Sequence, residues 1–600
     1  MSRNPDDLTV EPSGGPRAGS VPAGREALAA TLIAAATGVL FVFPIFSGWD
    51  RWGIGDWDQH QTFYGFARWS IVERGEWPFW NPFVCGGNPF LADPQSPFLY
   101  PLFAVVLFLG VIPGLKILIA VHASLSIFGA WLFGRRLGCG VIAAWIPAAA
   151  YGLSSAYALH IAAGHSTWFA MAWVPAALAA LHAGFDRPRL GLLAGAAAAM
   201  IAFIGNAYLF TFLLLFSSLW VLLATADRRS IKPPVACALM ILSALGLAAI
   251  KLLPMNDFLL KTTTLDTGDR PSASLSLIAV ALLGRRQALR AYADELAGQP
   301  WHFWEYGAYI GPIVATLALA AVVFRFRRAW PLAAVAAAAL AISLGHAWGP
   351  WDLVRTLPML AGLRVPSRAI IFSALFLGTL AGLLVTQWER PGRRVLLALG
   401  VVLIAADIGW VGRAALPEAF VLAPVDPPRG EFRQAIGKKR FQGAWDPAVG
   451  RYLDAYSDMY PGLLANRGTI NCYDRLHIPV HAQPETLAGG LPNPAYRGEA
   501  YLTSGGVARL VEIGGRAIEI DVAAAAPGVL VVNQNYDSGW RARDSRPVKE
   551  RGGLLAVEVE PGERRIALLY TPPRFWFGAA LTLASLAAIL AGGLSKQGGE

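Results

Sequence analysis

Two aspartates separated by one residue stand in the stretch GDWDQHQ, residues 55–61. On an extended segment the carboxylates of Asp56 and Asp58 point to the same side of the chain. Such a pair can coordinate a divalent cation such as Mg²⁺ or Mn²⁺, or leave one carboxyl with a raised pKa to act as a base. The alternative is that both are ordinary solvated acids of a loop. Six tryptophans between residues 48 and 96 surround the pair, and tryptophan favours both binding surfaces and membrane interfaces.

Two arginines four residues apart flank a proline in the stretch LRVPSRAIIF. The planar guanidinium groups of Arg364 and Arg368 suit phosphate oxygens, which they can contact through two N–H donors at once. The alternative is that they anchor the chain among lipid headgroups by extending toward the membrane surface. We expect these arginines to bind an anionic ligand.

Four further side chains are candidates for the same site. His160 and His165, in HIAAGHS, can bind a metal, hydrogen-bond a sugar or cap a helix. Glu305, in WHFWEYGAYIG, stands among aromatic rings, as acids do in sugar-binding clefts and also in interfacial belts. Lys251, in AAIKLLP, can contact a phosphate or extend to the membrane surface.

The composition indicates a polytopic membrane protein. Of the 600 residues, 55% are hydrophobic and only 15% charged, and several apolar runs are long enough to cross a bilayer. The net charge of +10 comes from basic clusters in short connections between apolar runs, which argues against a nucleic-acid partner. The sequence has no Walker A, GxGxxG, GxSxG or HExxH motif. We therefore expect no nucleotide chemistry on the cytoplasmic side.

The apolar runs predict about twelve transmembrane helices, at 28–47, 115–134, 140–157, 167–184, 190–205, 207–225, 234–253, 307–324, 330–346, 369–387, 394–412 and 574–594. Lys/Arg clusters fall in every second connection, so the positive-inside rule predicts that both termini are cytoplasmic. The proline-rich apolar stretch 97–113 is short for a span and is predicted to remain on the outer side.

The predicted organisation has one membrane module and one soluble domain. Within residues 413–573, the stretches RAIEIDVAAAAPGVLVVNQNYDSGWRA and GLLAVEVEPGERRIALLYTPP alternate apolar and polar side chains between Pro-Gly and Gly-Gly turns. This pattern predicts that residues 413–573 form an extracytoplasmic β-rich domain. The expected parts are a disordered cytoplasmic leader at 1–27, a transmembrane module at 28–412 with external loops 48–114 and 254–306, the β-rich domain, and a final helix with a short tail at 574–600.

Five stretches resemble blocks of one family, in the same order. GDWDQHQTFYGFARWSIVERGEWPFWNPFVCGGNPFLADPQSPFLYP, AAGHS, EYGAYIG, LRVPSRAI and the terminal YDSGWRA with LLYTPP are similar to YfhO-type bacterial membrane proteins of the GT-C superfamily of glycosyltransferases. The resemblance covers about residues 28–594. It implies a GT-C-type helical membrane fold in the bacterial cytoplasmic membrane, with the active site on the extracytoplasmic face.

The resemblance also implies a reaction and a role for the first loop. The donor would be a polyprenyl-phosphate-linked sugar and the acceptor a cell-envelope glycan, lipid or protein. The catalytic aspartate of such proteins is similar in position to Asp56, because GD followed by Gln59 resembles the family's loop; Asp58 with Gln61 repeats the spacing and stays open. Phosphate contacts are expected from Arg364, Arg368, Lys251 or His165.

Two other hypotheses about the function of this protein remain. A lipid-linked glycan transporter or flippase would place acids and broken helices near the bilayer midplane. An oligosaccharide ligase or polymerase of similar architecture would differ only in its acceptor. The four cysteines have no metal-binding spacing, and whether Cys85 pairs with Cys472 is open at this stage.

Overall fold

The computed structural model describes residues 24–264, 272–292, 296, 302–357, 359–437, 444–446, 451–453, 459–472, 476–487 and 489–594. The predicted leader, residues 1–27, lies outside the described residues except for its last four, which begin the first helix. The described residues form α1 Gly24–Val42, α2 Trp57–Arg68, α3 Ala104–Leu109, α4 Val111–Arg136, α5 Trp145–Gly152, α6 Ser155–Ala163, α7 Trp173–Gly184, α8 Gly191–Ile204, α9 Ala207–Arg228, α10 Lys232–Leu247, α11 Ala249–Lys261, α12 Leu275–Leu283, α13 Gly311–Phe324, α14 Phe326–Ser343, α15 Gly345–Trp348, α16 Trp351–Val354, α17 Ile370–Val385, α18 Arg394–Gly412, α19 Met459–Leu464 and α20 Phe575–Leu594.

The chain is a helical multi-pass membrane protein. Each predicted span coincides with one helix or with two consecutive helices. In the described part of the chain five helical segments are long and apolar enough to cross a membrane, namely Gly24–Phe46, Val111–Arg136, Ala207–Arg228, Pro366–Trp388 and Pro391–Glu418. A sixth is added if α10 and α11, which meet at a bend of 74°, count as one broken span. The count of twelve spans stays a prediction, because several of the other apolar helices are only 10–17 residues long.

The stretch 97–113 contains no helix that could cross a bilayer. Its longest helix, α3, has six residues, and Gly110 follows at φ +85° before α4 begins. A six-residue helix is only about 9 Å long at a rise of 1.5 Å per residue. The proline-rich stretch is therefore a short element packed against α4. That it lies on the outer side of the membrane stays a prediction.

Helix α17 lies at the centre of the helical part. Its sequence IIFSALFLGTLAGLLV has no charged residue, and most of its side chains are buried on all sides, as expected of an all-round apolar helix. Glycine permits its close approach to α5: a Cβ added at Gly378 would lie 2.7 Å from the Cβ of Ala150.

The strands are concentrated after α18. They are β1 Trp52–Gly53, β2 Trp80–Asn81, β3 Asn88–Pro89, β4 Thr263–Thr264, β5 Phe420–Leu422, β6 Arg433–Ala435, β7 Ala444–Asp446, β8 Arg451–Leu453, β9 Arg467–Thr469, β10 Leu476–His477, β11 Ala500–Leu502, β12 Gly506–Ile513, β13 Ala517–Ala524, β14 Gly528–Asn535, β15 Trp540–Ala542, β16 Lys549–Arg551, β17 Leu554–Val559 and β18 Arg565–Tyr570. Two four-stranded sheets have the orders β11-β14-β17-β16 and β12-β13-β18-β15. Along β13 every second side chain is buried, which confirms the predicted β-rich region.

The first loop, residues 48–114, packs against this β-rich region. Strand β1 pairs with β5, and Cys85 forms a disulfide with Cys472, with Cα atoms 4.6 Å apart. The side-chain amide of Asn535 donates to the backbone oxygens of Cys85 and Gly87 at 2.6 and 3.0 Å. The structure thus joins the two cysteines whose pairing the sequence left open.

Candidate functional site

Asp56 lies where the beginning of α2 meets the end of α6. The Asp56 backbone N–H donates to the Ala163 oxygen at 3.1 Å, and the Trp57 indole N–H donates to the Ile161 oxygen at 2.7 Å. Gly164 ends α6 at φ +102°, and a Cβ added there would lie 2.3 Å from the Trp57 nitrogen. Only glycine fits between the two helix ends in this conformation.

The Asp56 carboxylate pairs with His165. Asp56 Oδ2 and His165 Nε2 are 3.1 Å apart, and 38% of the aspartate side chain is exposed. His165 Nδ1 is 2.7 Å from Nδ1 of His160, whose ring stacks on Trp168 at 3.4 Å between centroids. Burial, followed by the neighbouring charges of His165 and Arg368, holds the pKa of His160 well below its usual value. A neutral, buried histidine therefore supports the histidine that contacts Asp56.

Arg368 and Glu305 form a buried ion pair beside the histidines. The Arg368 guanidinium donates to both Glu305 oxygens, at 2.6 and 2.8 Å, and Glu305 is only 3% exposed. The same guanidinium lies 4.3 Å from the centroid of the Tyr208 ring. Arg368 also interacts electrostatically with Asp56 and His160. The structure thus brings together Asp56, His165, Glu305 and Arg368, which the sequence singled out separately.

Arg364 reaches the same neighbourhood through Tyr208. The Arg364 backbone N–H donates to the Tyr208 hydroxyl at 2.9 Å, and the Arg364 side chain is half-buried. Tyr208 lies in the first turn of α9, which Asn206 caps by accepting from the Leu209 N–H. Because Tyr208 contacts both arginines of the LRVPSRAI stretch, it positions them relative to each other.

Asp58 points away from Asp56, unlike the pair on an extended segment. The reason is that α2 begins at Trp57, and two helical residues differ by about 200° around the axis. Asp58 is 4% exposed, and its carboxylate accepts from the backbone N–H groups of Met459 and Tyr460 at 3.3 and 2.9 Å. Asp58 therefore binds the backbone at the start of α19, in the β-rich region.

The two carboxylates do not converge on one metal position. Within the residues that the structure describes, no group of three or more His, Cys, Asp or Glu side chains is placed to hold a metal ion. Asp56 contacts His165, whereas Asp58 is occupied by backbone donors. The donor set does not fit the Mg²⁺ or Mn²⁺ site that the sequence raised as an option.

Gln59 and Lys251 are buried and contribute to packing. Gln59 is 4% exposed and Lys251 is 1% exposed. The Lys251 ammonium donates to the backbone oxygens of Ser96 and Phe203 at 2.9 and 3.0 Å, and Asp93 is nearby. Lys251 thus does not extend to the membrane surface, and its contacts join the first loop to the end of α8.

Three site residues were missed by sequence reasoning: His60, Trp168 and Tyr208. Burial, with Asp56 acting in the opposite direction, lowers the pKa of His60 from 6.5 to about 4. His60 follows Asp56 by four residues, so a helical reading of GDWDQH would have placed it over the Asp56 backbone. Trp168 and Tyr208 carry no sequence signal, because ordinary core aromatics have the same pattern.

Comparison with known proteins finds distant likenesses among solved structures. No protein-family model matches the chain, and no curated protein matches it. Among solved structures, it is similar to the arabinofuranosyltransferase AftD from Mycobacteria, with 17% identity and a TM-score of 0.45 over 77% of this chain and 32% of that one. A mutant of AftD has 16% identity and a TM-score of 0.43, over 77% of this chain and 34% of that one.

A second neighbour is the oligosaccharyltransferase of Archaeoglobus fulgidus in its apo form. It has 14% identity and a TM-score of 0.41, over 74% of this chain and 64% of that one. The chain therefore spans less than two thirds of the length of either neighbour. At this distance the likeness carries no argument about activity or site residues, and the narrower resemblance to YfhO-type proteins stays a prediction.

Proposed function

We propose that this protein is a membrane glycosyltransferase that moves a sugar from a polyprenyl-phosphate-linked donor to a cell-envelope acceptor, with Asp56 as the base. The proposal depends above all on the Asp56 carboxylate. It is partly exposed and lies 3.1 Å from His165 Nε2. It also interacts electrostatically with Arg368. An accessible carboxylate oriented by a histidine can take a proton from an acceptor hydroxyl, and a nearby cation favours an anionic leaving group.

In the proposed reaction the acceptor oxygen forms a bond to the anomeric carbon of the sugar while its proton passes to Asp56. The bond from that carbon to the phosphate oxygen breaks, and its electron pair leaves with the polyprenyl phosphate. Phosphate is a good leaving group, so no general acid is required. His165 holds the Asp56 carboxylate through Nε2, and His160 contacts the other ring nitrogen. Asp58 takes no part, because its carboxylate accepts from the α19 backbone.

The arginine pair is the proposed contact for the donor phosphate. Glu305 occupies two of the five N–H donors of Arg368, which fixes the orientation of the guanidinium plane. The Arg364 backbone N–H donates to the hydroxyl of Tyr208, whose ring contacts the Arg368 guanidinium. Glu305 acts in this scheme as a positioning residue, because it reaches the phosphate only through Arg368.

An apolar cavity supports a lipid-linked donor. It has a volume of about 620 Å³ and is lined mainly by α1, α5 and α18, with Arg413 at one end. The segment that begins at Arg413 packs against α6, the helix that carries His160. We propose that this cavity receives the beginning of the polyprenyl tail. No residue of the stretch 97–113 is among those that line it.

The disulfide supports an extracytoplasmic site. Structural disulfides form and persist in oxidising compartments and are rare in the cytosol of mesophiles. Cys85 lies in the first loop, which also carries Asp56, and Cys472 lies in the β-rich region. We propose that both face the outside of the bacterial cytoplasmic membrane and that both termini are cytoplasmic. Nucleotide sugars are absent there, which agrees with a lipid-linked donor.

A lipid-linked glycan flippase is the second candidate function. The observation that favours it is the 74° break between α10 and α11, with Lys251 buried just after the break. Broken helices with buried charge are common in transporters. An oligosaccharide ligase or polymerase uses the same proposed chemistry with a different acceptor, so it falls within the first proposal.

The test replaces Asp56 and Asp58 separately with Asn. Membranes that contain each variant are supplied with polyprenyl-phosphate hexoses and pentoses, and release of polyprenyl phosphate is measured. We expect Asp56→Asn to lower turnover by about 10²–10⁴-fold, the usual contribution of a general base. Its thermal stability should stay close to that of the wild type, because the Asp56 side chain is partly exposed.

Asp50→Asn is the matched control, since Asp50 is an exposed acid of the same loop, and it should retain full activity. Asp58→Asn is expected to lose stability before it loses turnover per folded molecule. Full turnover by folded Asp56→Asn would refute the base assignment. Transbilayer movement of the donor without release of polyprenyl phosphate would favour the flippase.

A further inference from the structure

A second, polar cleft lies about one helix length from Asp56. It has a volume of about 890 Å³ and opens between Trp69 and Arg74, which follow α2, and the strand β12. Its walls come from the first loop at Trp69 and Arg74 and, in the β-rich region, from residues 429–433, Asn466, residues 497–500, residues 508–513 of β12 and Asp521. The cleft is thus formed only where the first loop meets the β-rich region.

Arginine dominates the charge of this cleft. Five arginines and four acids are among its lining residues. The arginines are Arg74, Arg429, Arg433, Arg497 and Arg509. The acids are Glu431, Glu499, Glu512 and Asp521. Arg433 and Arg509 share one partner, Glu431, at 3.2 and 3.1 Å. Asp521 pairs with Arg565, which is not among the lining residues, at 2.8 Å. Arg74 pairs with Glu512, and Arg429 lies 4.0 Å from Glu73, which is not among the lining residues. The lining arginines therefore outnumber the lining acids by one.

Arg497 is one of three exposed arginines of this cleft, with Arg429 and Arg509. Its guanidinium lies 5.4 Å from the centroid of the Tyr501 ring. Within the described ranges, no carboxylate lies close enough to Arg497 to form an ion pair with it. A guanidinium that is held by an aromatic ring and directed at a cleft presents planar donors to a ligand.

The floor of the cleft contains a carboxyl with unusual properties. Glu499 is buried and accepts from the Gln434 backbone N–H at 2.7 Å, from the Tyr496 hydroxyl at 3.0 Å and from the Asn533 amide at 3.2 Å. Burial raises the pKa of Glu499 to about 7, so this group is partly neutral near pH 7. Its protonation leaves three charged acids against five arginines.

Two more arginines are fixed by an aromatic ring. The guanidiniums of Arg74 and Arg429 each lie 5.7 Å from the centroid of the Trp69 ring. Trp69 is itself almost fully buried, so the ring serves as a rigid support for the cations. Cations that are held in place lose little conformational freedom when they bind a ligand.

We propose that this cleft binds an acidic glycan, a saccharide chain that carries carboxylate or phosphate groups. Its arginine forks match planar carboxylates and phosphate oxygens, and its polar lining matches sugar hydroxyls. A volume of about 890 Å³ lies in the range of sites that enclose a ligand of several rings. Uronates and phosphodiesters present the same oxyanion chemistry, and the experiment separates them.

The distance between the cleft and Asp56 limits the role that the bound glycan can have in the reaction. Helix α2 has twelve residues between Asp56 at one end and Trp69 at the other, a distance of roughly 18 Å at 1.5 Å per residue. A chain bound in the cleft therefore lies too far from Asp56 to react where it is held. We infer that the bound glycan is the acceptor of the sugar. This inference depends on the proposed function, whereas the binding of the glycan in the cleft does not.

The experiment measures binding by calorimetry to the full-length protein in nanodiscs. Three probes are compared, namely a uronate oligomer (tetragalacturonic acid), an oligomer of hexoses linked by phosphodiesters and neutral maltotetraose. We expect one acidic probe to bind at least tenfold more tightly than the neutral one. Binding should weaken as salt is raised, because guanidinium–oxyanion contacts in an open cleft are screened. The identity of that probe distinguishes uronate from phosphodiester recognition.

The variants separate specific binding from general charge. Arg497→Gln should weaken the acidic probe at least tenfold. Arg551→Gln, which changes another exposed arginine that is not among the lining residues, should leave binding unchanged. Equal binding of the neutral probe, no binding of either acidic probe, or an unaffected Arg497→Gln would overturn the proposal.

The Asp56→Asn variant keeps this proposal distinct from the proposed function. It should bind the acidic probe as the wild type does, because Asp56 is not among the lining residues of the cleft. If Asp56→Asn retains full transferase turnover and the cleft still binds an acidic probe, the proposed function is refuted and the proposal of glycan binding is retained. If turnover is lost but neither acidic probe binds, only the cleft proposal fails.

Discussion

Asp56 and Asp58 have the same side chain and different environments. Asp56 precedes α2 and keeps an accessible carboxylate beside His165. Asp58 lies inside the first turn, is buried, and accepts from two backbone N–H groups of α19. The physical distinction is that hydrogen bonds from backbone N–H groups stabilise a buried carboxylate but leave it unable to reach a substrate.

His60, one turn after Asp56, makes the stability of the protein depend on pH. Its pKa is lowered from 6.5 to about 4, so between these values the unfolded chain binds a proton that the folded chain does not. The free energy of unfolding should therefore fall as pH falls from 6.5 toward 4. For this one group the loss between pH 7 and pH 5 is about 2 kcal/mol.

The measurement compares wild type and His60→Gln by thermal unfolding in detergent at pH 7 and pH 5. The variant should lose less stability than the wild type over this interval, because glutamine does not titrate. His302→Gln is a control with an exposed histidine, whose replacement should change the pH dependence less. An identical pH dependence in wild type and His60→Gln would contradict the burial of a neutral imidazole at position 60.

At the scale of elements, the junction of α6 and α2 positions the base. Gly164 ends α6 in the left-handed region, and His165 follows it directly. A Cβ at Gly164 would lie 2.3 Å from the Trp57 nitrogen and 2.6 Å from the Asp56 nitrogen, both of which are backbone atoms. The AAGHS block thus requires its glycine for the distance between Asp56 and His165.

We expect Gly164→Ala to separate the two helix ends and to lower turnover by about 100-fold, as a displacement of about 1 Å at a reacting group can. The variant should also unfold at a lower temperature, since the left-handed conformation is strained for alanine. Turnover per folded molecule and the unfolding temperature are measured together.

Gly75→Ala is the matched control, because Gly75 is also left-handed, at φ +65°, but a Cβ there has no atom within 4 Å. It should show the backbone strain without the loss of turnover. Equal effects of the two substitutions would mean that the close approach at Gly164 does not position Asp56.

At the scale of the whole molecule, the first loop and the β-rich region form one unit. The Cys85–Cys472 disulfide connects positions 387 residues apart in the sequence. Asp58 and Asn535 make further contacts between the same two parts. Both the Asp56 environment and the arginine-lined cleft depend on this docking, since each borders the first loop.

Replacing both Cys85 and Cys472 with Ser should lower the unfolding temperature, corresponding to about 2–4 kcal/mol for loss of a disulfide. A reductant should lower the wild-type value to that of the variant and leave the variant unchanged. Denatured but unreduced wild type should take up two maleimides, at Cys139 and Cys237, and reduced protein four. Four labels without reduction would contradict the disulfide.

Sequence patterns predicted the helices of the membrane part because apolar runs of about 20 residues are a local signal. Every predicted span coincides with helix, and the alternation in 413–573 predicted strands such as β13. The number of helices that cross the membrane was less accessible, because α5 with α6 and α10 with α11 are broken within their apolar runs. A hydropathy profile is averaged over a window of residues, so it does not show where a helix is broken within an apolar run.

The sequence predicted which types of residue belong to the candidate site, but it did not predict which residues contact one another. By itself the sequence determined that acids, histidines and arginines interrupt an apolar chain near span ends, because a charge in such a chain is costly unless it has a partner. Only the tertiary structure decided the partners: Asp56 with His165, Arg368 with Glu305, and Asp58 with the α19 backbone. These contacts join residues up to about 400 positions apart, and their geometry depends on how helices and loops pack, which no local pattern encodes.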